Sequence, residues 1–311
     1  MKMKRLSPVG GLQELRPDVA RLLLVMVNVY IIGQRQGPWV LVDAGLHGTA
    51  GTIARVAEER QGRPPEAIIL THGHFDHVGA LKELIERWQV PIYAHPLELP
   101  YLTGLSAYPP PDPGVSMGAM ALSSPLYPAG PFDFRPHVHP LPEDGHLPGA
   151  PGWRWLPTPG HSPGHVSLWR EADRTLIVGD AFVTTAQESV FSALTQFPTE
   201  VRRPPAYFTP DWNAARESVV QLEALQPDLA ATGHGTPMWN ELLRQELRVL
   251  ARNFDTLARP RNGRYTLEGA TADERGVQSV PPLPAADPNS GMKVGIALGA
   301  LALGALFTLR R

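Results

Sequence analysis

Apolar, β-branched runs alternate with amphipathic stretches along most of the chain. The amphipathic stretches repeat their apolar residues at helical spacing and predict helices at Thr49–Gln61, Ala80–Trp88, Trp212–Leu225 and Trp239–Leu257. The apolar runs are typical of buried strands and predict strands at Leu22–Ile32, Trp39–Val42, Ala67–Leu70, Ile92–Ala94, Trp153–Leu156, Val166–Trp169, Thr175–Val178 and Leu229–Ala231. Because strands and helices are interleaved in both halves, the pattern predicts a layered α/β domain over residues 1–262.

The segment 97–136 breaks this pattern. It has little periodicity and many prolines, yet it carries apolar and aromatic side chains such as Tyr101, Tyr108 and Met120. A long proline-rich loop with this much apolar surface is typical of a lid or a binding element. We therefore expect a lid insertion here. The alternative is an inserted loop that only packs on the body.

The C-terminal part of the chain changes character again. A polar, proline-containing stretch at 263–291 predicts a linker, and the sixteen residues 294–309 after it carry no charge. A helix of that length is about 24 Å long, slightly short of a hydrocarbon core of about 30 Å. We expect a C-terminal hydrophobic helix at 292–311 that anchors the protein to a membrane, with a docking helix or a frayed tail as the alternative. The N-terminal residues lack the apolar run of a signal peptide, so we expect the folded domain to be cytoplasmic.

Composition narrows the classes of function. With 311 residues, of which 43% are hydrophobic, the chain is long enough for a sizeable core. Its 30 acidic and 28 basic residues give a net charge of -2, which does not favour nucleic acid as a partner. The chain has no cysteine, which excludes disulfides, thiolate zinc sites and a cysteine nucleophile. Any metal must therefore be held by histidine and carboxylate.

Metal-competent side chains are concentrated directly after the strand predicted at Ala67–Leu70. His72, His74, Asp76 and His77 fall within six residues. Burying unpaired imidazoles and a carboxylate in a core would cost several kcal/mol, so we expect these side chains to converge on a common site. Two histidines on extended backbone and an Asp–His pair on the incoming helix can face two neighbouring points, as a two-metal site requires.

Three more such residues follow later strands, each in a glycine-containing turn. They are His161, Asp180 and His234. Each alone is a weak signal, because a lone histidine after a strand is more often structural. Together with the first cluster they complete a set of five imidazoles and two carboxylates.

The HxHxDH motif followed by His, Asp and His in this order resembles the metallo-β-lactamase superfamily, over roughly residues 9–258. The resemblance implies a four-layer αββα sandwich with two metal ions at one edge. It implies that one ion is held by His72, His74 and His161, and the other by Asp76, His77 and His234. Asp180 would bridge the two ions.

The same resemblance assigns supporting roles to further residues. Asp43 matches the family's early aspartate, which orients a ligand, although a plain capping role is the alternative. His165 is expected to support the site rather than to be an eighth ligand. Apart from the resemblance, Asp76 is well placed to orient the nucleophile and carry a proton. Tyr207 is a candidate donor to the oxyanion or the leaving group, with an aromatic residue that only packs after the Pro-Pro turn as the alternative.

Within the superfamily, the residues favour some branches over others. The absence of cysteine excludes the lactamases with a cysteine ligand, and His74 stands where the flavodiiron enzymes have glutamate. The nucleases of the superfamily insert a large second domain and need a basic surface, and the sequence indicates neither. The spacing looks most like the glyoxalase II, lactonase and related uncharacterised hydrolase branch, and the stretch 205–212 resembles the last group. The glutathione-binding residues of glyoxalase II are not recognisable.

This resemblance implies a metal-dependent hydrolase that uses a metal-bridging hydroxide to cleave an ester, thioester or lactone bond. The substrate would be a small molecule, and the apolar lid favours a hydrophobic acyl group. Histidine and carboxylate ligands suit two zinc ions but also manganese or iron. One alternative is a mononuclear iron oxidoreductase of the persulfide-dioxygenase type. Another is a non-enzymatic, membrane-tethered protein with a structural metal site.

Overall fold

The computed structural model describes residues 10–284. Its larger sheet within these residues contains seven strands that lie side by side in sequence order, β1 (Leu12–Arg16), β2 (Val19–Leu24), β3 (Val27–Ile32), β4 (Val40–Val42), β5 (Ala67–Ile69), β6 (Ile92–Ala94) and β7 (Val138–Pro140). The neighbours from β1 to β4 are antiparallel, whereas those from β4 to β7 are parallel.

A second sheet packs against the first. In the described residues it is formed by β8 (Arg154–Pro157), β9 (Val166–Arg170), β10 (Thr175–Gly179), β11 (Leu229–Thr232) and β12 (Met238–Trp239), in the spatial order β12–β11–β10–β9–β8. The central pair β10 and β11 is parallel, and the other neighbours are antiparallel. A separate hairpin pairs β13 (Thr271–Asp273) with β14 (Gly276–Ser279).

Helices connect the strands and cover the outer faces of both sheets. Between residues 10 and 284 they are α1 (Ala50–Gln61), α2 (Phe75–Val78), α3 (Leu81–Trp88), α4 (Leu99–Leu102), α5 (Ala119–Leu122), α6 (Val190–Thr195), α7 (Trp212–Ala224), α8 (Asn240–Arg252) and α9 (Phe254–Leu257). Asp211 caps α7 as its position predicts, because its carboxylate accepts hydrogen bonds from the backbone N–H groups of Asn213 and Ala214.

Three clusters of buried apolar side chains join these layers. One joins α1 and α3 to the first sheet and includes Ile53 and Leu84. The second lies between the two sheets, where Val42 of β4 and Ile177 of β10 belong to the same cluster. The third joins α7 and α8 to the second sheet and includes Leu247. The layer order is therefore helix, sheet, sheet, helix, which is the αββα order that the resemblance implied.

Some element boundaries differ from the sequence prediction. The single strand predicted at Leu22–Ile32 is a hairpin of β2 and β3, which turns at Val25 and Met26. All residues of both strands are buried, so the apolar run continues through the turn without a polar break. Val25 takes a φ of 60°, which is uncommon for a β-branched residue. Likewise, the helix predicted at Trp239–Leu257 is divided at Asn253 into α8 and α9.

The segment 97–136 is ordered and packs on the body. It contains α4, α5 and short 3₁₀ turns, and it buries Tyr101, Tyr108 and Met120 while leaving Leu105 and Leu126 exposed. Part of the predicted linker lies against this segment. The Tyr265 hydroxyl donates to the Pro110 carbonyl, and the Val277 N–H donates to the Ser106 hydroxyl.

The predicted hydrophobic helix at 292–311 lies outside the described residues. Within residues 10–284, no helix combines the length and the apolar character needed to cross a membrane.

Candidate metal centre

The predicted ligand residues gather where strands of the two sheets end. The first cluster follows β5 and continues into α2, and His161 lies in the loop between β8 and β9. Asp180 directly follows β10, and His234 follows β11. β4 and β5 are parallel to each other, and so are β10 and β11. The loops that follow β5, β10 and β11 therefore start from the carboxyl ends of their strands at one edge of the sandwich.

His72, His74 and His161 form the first group of side chains able to hold a metal ion. One nitrogen from each ring lies within 4.8 Å of the others, and all three residues are buried. The closest approach is 3.0 Å, between His74 Nδ1 and His161 Nε2. The far nitrogens are fixed by hydroxyls, since His72 Nδ1 lies 3.0 Å from Thr71 Oγ1 and His161 Nδ1 lies 3.3 Å from Thr209 Oγ1.

Asp76, His77 and His234 form a second group with the same 4.8 Å limit. His234 Nε2 lies 3.3 Å from Asp76 Oδ2. The other nitrogen of His234 lies 2.9 Å from the Met26 carbonyl oxygen, to which it donates. The ring therefore presents Nε2 to the centre.

Asp180 lies between the two groups. Its Oδ2 atom is 3.5 Å from His161 Nε2 of the first group, and 3.6 Å and 3.1 Å from the Nε2 atoms of His77 and His234 of the second. Gly233 makes this close approach sterically feasible, because a Cβ at that position would lie 2.1 Å from Asp180 Oδ1. One carboxylate thus reaches ligand atoms of both groups.

The donor set fits divalent metal ions. Among the described residues, the buried atoms His72 Nε2, His77 Nε2 and Asp180 Oδ1 have no hydrogen-bond partner. Leaving such an atom unsatisfied costs about 1–3 kcal/mol, and metal coordination would remove that cost. Ligand atoms around a tetrahedral zinc, at about 2.0–2.1 Å from the ion, lie about 3.3 Å apart. The observed separations of 3.0–3.6 Å match this spacing.

Asp43 is placed to orient His77. Its Oδ2 lies 2.8 Å from His77 Nδ1, and its Oδ1 accepts from the Thr71 N–H at 2.8 Å. A carboxylate on the far nitrogen of a ligand histidine fixes the tautomer that presents the other nitrogen.

His165 supports Asp180 through the backbone. Its Nε2 accepts from the Asp180 N–H at 2.8 Å, so its proton resides on Nδ1, which lies 2.9 Å from Thr158 Oγ1. Burial lowers the pKa of His165 to about 3, which keeps the ring neutral. Both nitrogens are occupied, so His165 has no free ligand atom.

The two groups differ in their electrostatics. Burial lowers the pKa of His74 to about 4, and it holds the pKa values of His72 and His161 well below the ordinary value. Burial also acts on His77 and His234, but nearby carboxylates outweigh it. The pKa of His77 is therefore well above its ordinary value, and that of His234 is about 10.

Asp76 and Asp180 carry negative charge at the centre. Burial alone would raise the pKa values of Asp76 and Asp180, but their histidine partners bring both below the ordinary value. The second group thus carries anionic oxygens whose charge a divalent cation would neutralise in place of protons.

Tyr207 lies in an aromatic cluster beside the ligands. It is buried with Phe208, Met120 and Ala121, and Tyr127 packs against it. The Phe208 ring lies 4.7 Å from the His74 ring, measured between centroids. Burial, followed by the charge of Asp76, raises the pKa of the Tyr207 hydroxyl well above its ordinary value.

Sequence reasoning missed Glu98 and the role of Tyr108. Glu98 is fully buried and contacts both loops of the first group, and the Tyr108 ring lies 4.6 Å from the His74 ring. The sequence does contain a signal for Glu98. Glu98 is the one Asp, Glu, Lys or Arg residue between Arg87 and Asp112, in a mostly apolar stretch.

Comparison with known proteins agrees with this geometry. A family model described as the metallo-beta-lactamase superfamily matches residues 22–234. The "Probable metallo-hydrolase YflN" of Bacillus subtilis (strain 168) is 44% identical over 248 residues, which cover 78% of this chain and 94% of that protein. The "Probable metallo-hydrolase YybB" of the same organism is 32% identical over 246 residues, which cover 78% and 96%.

One solved structure supports the fold alone. A beta-lactamase domain protein from Burkholderia ambifaria matches with a TM-score of 0.54 at 22% identity, over 80% of this chain and 78% of that chain.

Proposed function

The chain belongs to the metallo-β-lactamase superfamily and is a metallo-hydrolase. We propose that it hydrolyses an ester, thioester or lactone bond of a small-molecule substrate, at a site whose residues would hold two divalent metal ions. The observation that carries the proposal is the convergence of five buried imidazoles and two carboxylates at one edge of the sandwich. The motif spacing and the absence of cysteine favour the glyoxalase II- and lactonase-like branch.

The ligands divide into the two groups described above. His72, His74 and His161 would hold one ion, and Asp76, His77 and His234 would hold the other, with Asp180 shared. We propose zinc as the metal, and manganese or iron suits the same ligands. When bound, such ions lower the pKa of water toward neutrality and polarise a substrate carbonyl.

Asp76 orients the attacking water. It is buried, with 7% of its surface exposed, and its histidine partners keep it anionic. A carboxylate in that position accepts a proton from the water and passes it to the leaving group.

Tyr207 supplies a hydrogen-bond donor. Because its pKa is raised well above the ordinary value, its hydroxyl keeps the proton at neutral pH. A buried O–H donor stabilises negative charge that develops on the carbonyl or leaving-group oxygen.

The aromatic cluster favours an apolar substrate. Phe75 and Tyr127 pack with centroids 5.3 Å apart, and Phe208 lies between Phe75 and His74. An apolar wall beside the ligands excludes water and contacts an acyl chain or an aromatic ring more favourably than a charged group.

The proposal is tested by a hydrolysis screen with lactones, thioesters and aryl esters. We expect hydrolysis that a chelator abolishes and added zinc or manganese restores. His74→Ala should lose this activity, whereas His47→Ala, which alters a histidine with 87% of its side chain exposed, should keep it. Hydrolysis that survives both the chelator and His74→Ala would refute the proposal.

A further inference from the structure

Glu98 is a fully buried carboxylate that is not a ligand of the centre. It ends the 3₁₀ turn Pro96–Glu98 that follows β6, at the start of the segment 97–136. Burying an isolated carboxylate is costly, so its partners decide what it does.

One carboxylate oxygen binds the loop of the HxHxDH motif. Glu98 Oε2 accepts from the Gly73 N–H at 3.0 Å and from the Tyr108 hydroxyl. Gly73 separates His72 from His74, so this contact fixes the backbone between two ligands of the first group. The Tyr108 oxygen also lies 2.9 Å from the Gly73 nitrogen.

The other carboxylate oxygen binds the loop of the third ligand. Glu98 Oε1 accepts from the Ser162 hydroxyl at 2.8 Å and from the Gly164 N–H at 2.8 Å. Ser162 directly follows His161. The two loops belong to different sheets, since one follows β5 and the other connects β8 to β9.

The donors in these contacts favour a carboxylate over an amide. Each oxygen faces one backbone N–H, which can only donate, and one hydroxyl. An ionised carboxylate offers two acceptor oxygens with about four lone-pair sites, which matches four donors. A glutamine has one acceptor oxygen, so its NH₂ group would face a backbone N–H in either orientation.

We propose that Glu98 is a positioning residue that holds the His72–His74 loop and the His161 loop at the separation that a metal ion needs. The inference rests on the metal centre proposed above. It goes beyond the ligand set, because it gives one side chain the role of aligning a loop of the first sheet with a loop of the second.

The test compares zinc binding by the wild-type protein, Glu98→Gln and Asp112→Asn. Asp112 is the matched control, because it is a buried carboxylate that accepts from the backbone N–H groups of Gly114 and Arg264, outside the ligand loops. Zinc affinity is measured by competition with a chromophoric chelator, and the melting temperature of the metal-free protein is measured in parallel.

We expect Glu98→Gln to weaken zinc binding by about 10–100-fold, the range found when residues that support metal ligands from outside the ligand set are replaced. The zinc-dependent rise in melting temperature should shrink accordingly. Asp112→Asn should bind zinc like the wild-type protein, even if its metal-free form melts earlier.

Two variants that each remove a single hydrogen-bond donor keep the test decisive if Glu98→Gln does not fold. Ser162→Ala removes one donor on the His161 side, and Tyr108→Phe removes one on the other side. Each should weaken zinc binding less than the loss of Glu98, and wild-type affinity in both would overturn the inference.

Other outcomes separate this inference from the proposed function. Wild-type zinc affinity in Glu98→Gln, or an equal loss in Asp112→Asn, would overturn the positioning role and leave the metal centre standing. A wild-type protein that binds neither zinc, manganese nor iron would overturn both.

Discussion

The backbone conformation of Asp43 suits the contacts that its carboxylate makes. It takes a φ of 61° at the end of β4, in the left-handed region that aspartate and asparagine tolerate best among residues with a side chain. That conformation turns the carboxylate toward Thr71 and His77, which bind it at 2.8–2.9 Å. The backbone thus supplies the orientation, and the charge fixes the imidazole.

Asp43→Asn should weaken metal binding without straining the backbone. If the amide NH₂ faces His77 Nδ1, that nitrogen must accept, and the ring proton moves to the nitrogen that should bind metal. We expect an affinity loss of about 10–100-fold in a calorimetric zinc titration of the metal-free protein. Unchanged affinity would show that Asp43 only caps its loop.

At this scale the sequence predicted contacts within a short motif better than contacts made across the fold. The seven ligand candidates could be named because their residue types are unusual at strand ends. Glu98 could not be assigned a role, because its partners Gly73 and Ser162 lie 25 and 64 residues away in the chain. An acidic residue in an apolar stretch indicates burial but does not identify its partners.

Among the elements, α1 and α3 are joined by a polar cluster at their ends. Glu58 of α1 accepts from Arg87 Nε and Nη2 at 2.7 Å each and from Trp88 Nε1 at 2.8 Å. The hydrogen bond from Arg87 is the largest cause that lowers the pKa of Glu58, to about 2. A glutamate with a lowered pKa stabilises the fold above its ordinary value of 4.5, and it loses that contribution as the pH falls toward 2.

Glu58→Gln should therefore lower the melting temperature at pH 7, and the difference should shrink below pH 4.5 and disappear as the pH approaches 2. Thermal unfolding of the variant and the wild-type protein across this range measures the effect. Glu59→Gln is the matched control on the same helix, since Glu59 pairs with Arg55 at 3.3 Å and is 65% exposed at its side chain. A Glu58→Gln effect that stays constant down to pH 3 would contradict the assignment.

The sequence predicted the central strands and the amphipathic helices well, and turns and edge strands poorly. Runs such as Ile92–Ala94 are buried by neighbours on both sides, so their apolar character alone identifies them. The Val25 turn carries no glycine, proline or asparagine and is concealed within an apolar run. Edge strands such as β1 and β7 are half-exposed or short, and they depend on pairing that the local sequence does not show.

At the scale of the whole molecule, the packing of two sheets assembles the centre. The first sheet supplies the HxHxDH loop, and the second supplies His161, Asp180 and His234. Buried side chains of the two sheets belong to one cluster, which fixes the distance between the two edges. The alternation of strands and helices predicted a layered α/β domain, and the family resemblance implied the αββα layer order. The contacts between the loops could be seen only in the tertiary structure.

The role of the C-terminal segment is a separate proposal. We propose that residues 292–311 attach the protein to a membrane, on the basis of the uncharged stretch 294–309 in the sequence. Deleting 292–311 should move the protein from the membrane fraction to the soluble fraction after cell lysis and centrifugation. Full-length protein that is already monodisperse without detergent would refute the anchor.

The proposed hydrolysis depends on a two-metal centre. Elemental analysis of the purified wild-type protein tests this most directly. We predict about two zinc, manganese or iron ions per chain, with the content falling in Asp180→Asn because the shared carboxylate loses its charge. One ion per chain, unchanged in Asp180→Asn, would contradict the shared-ligand arrangement on which the proposed hydrolysis rests.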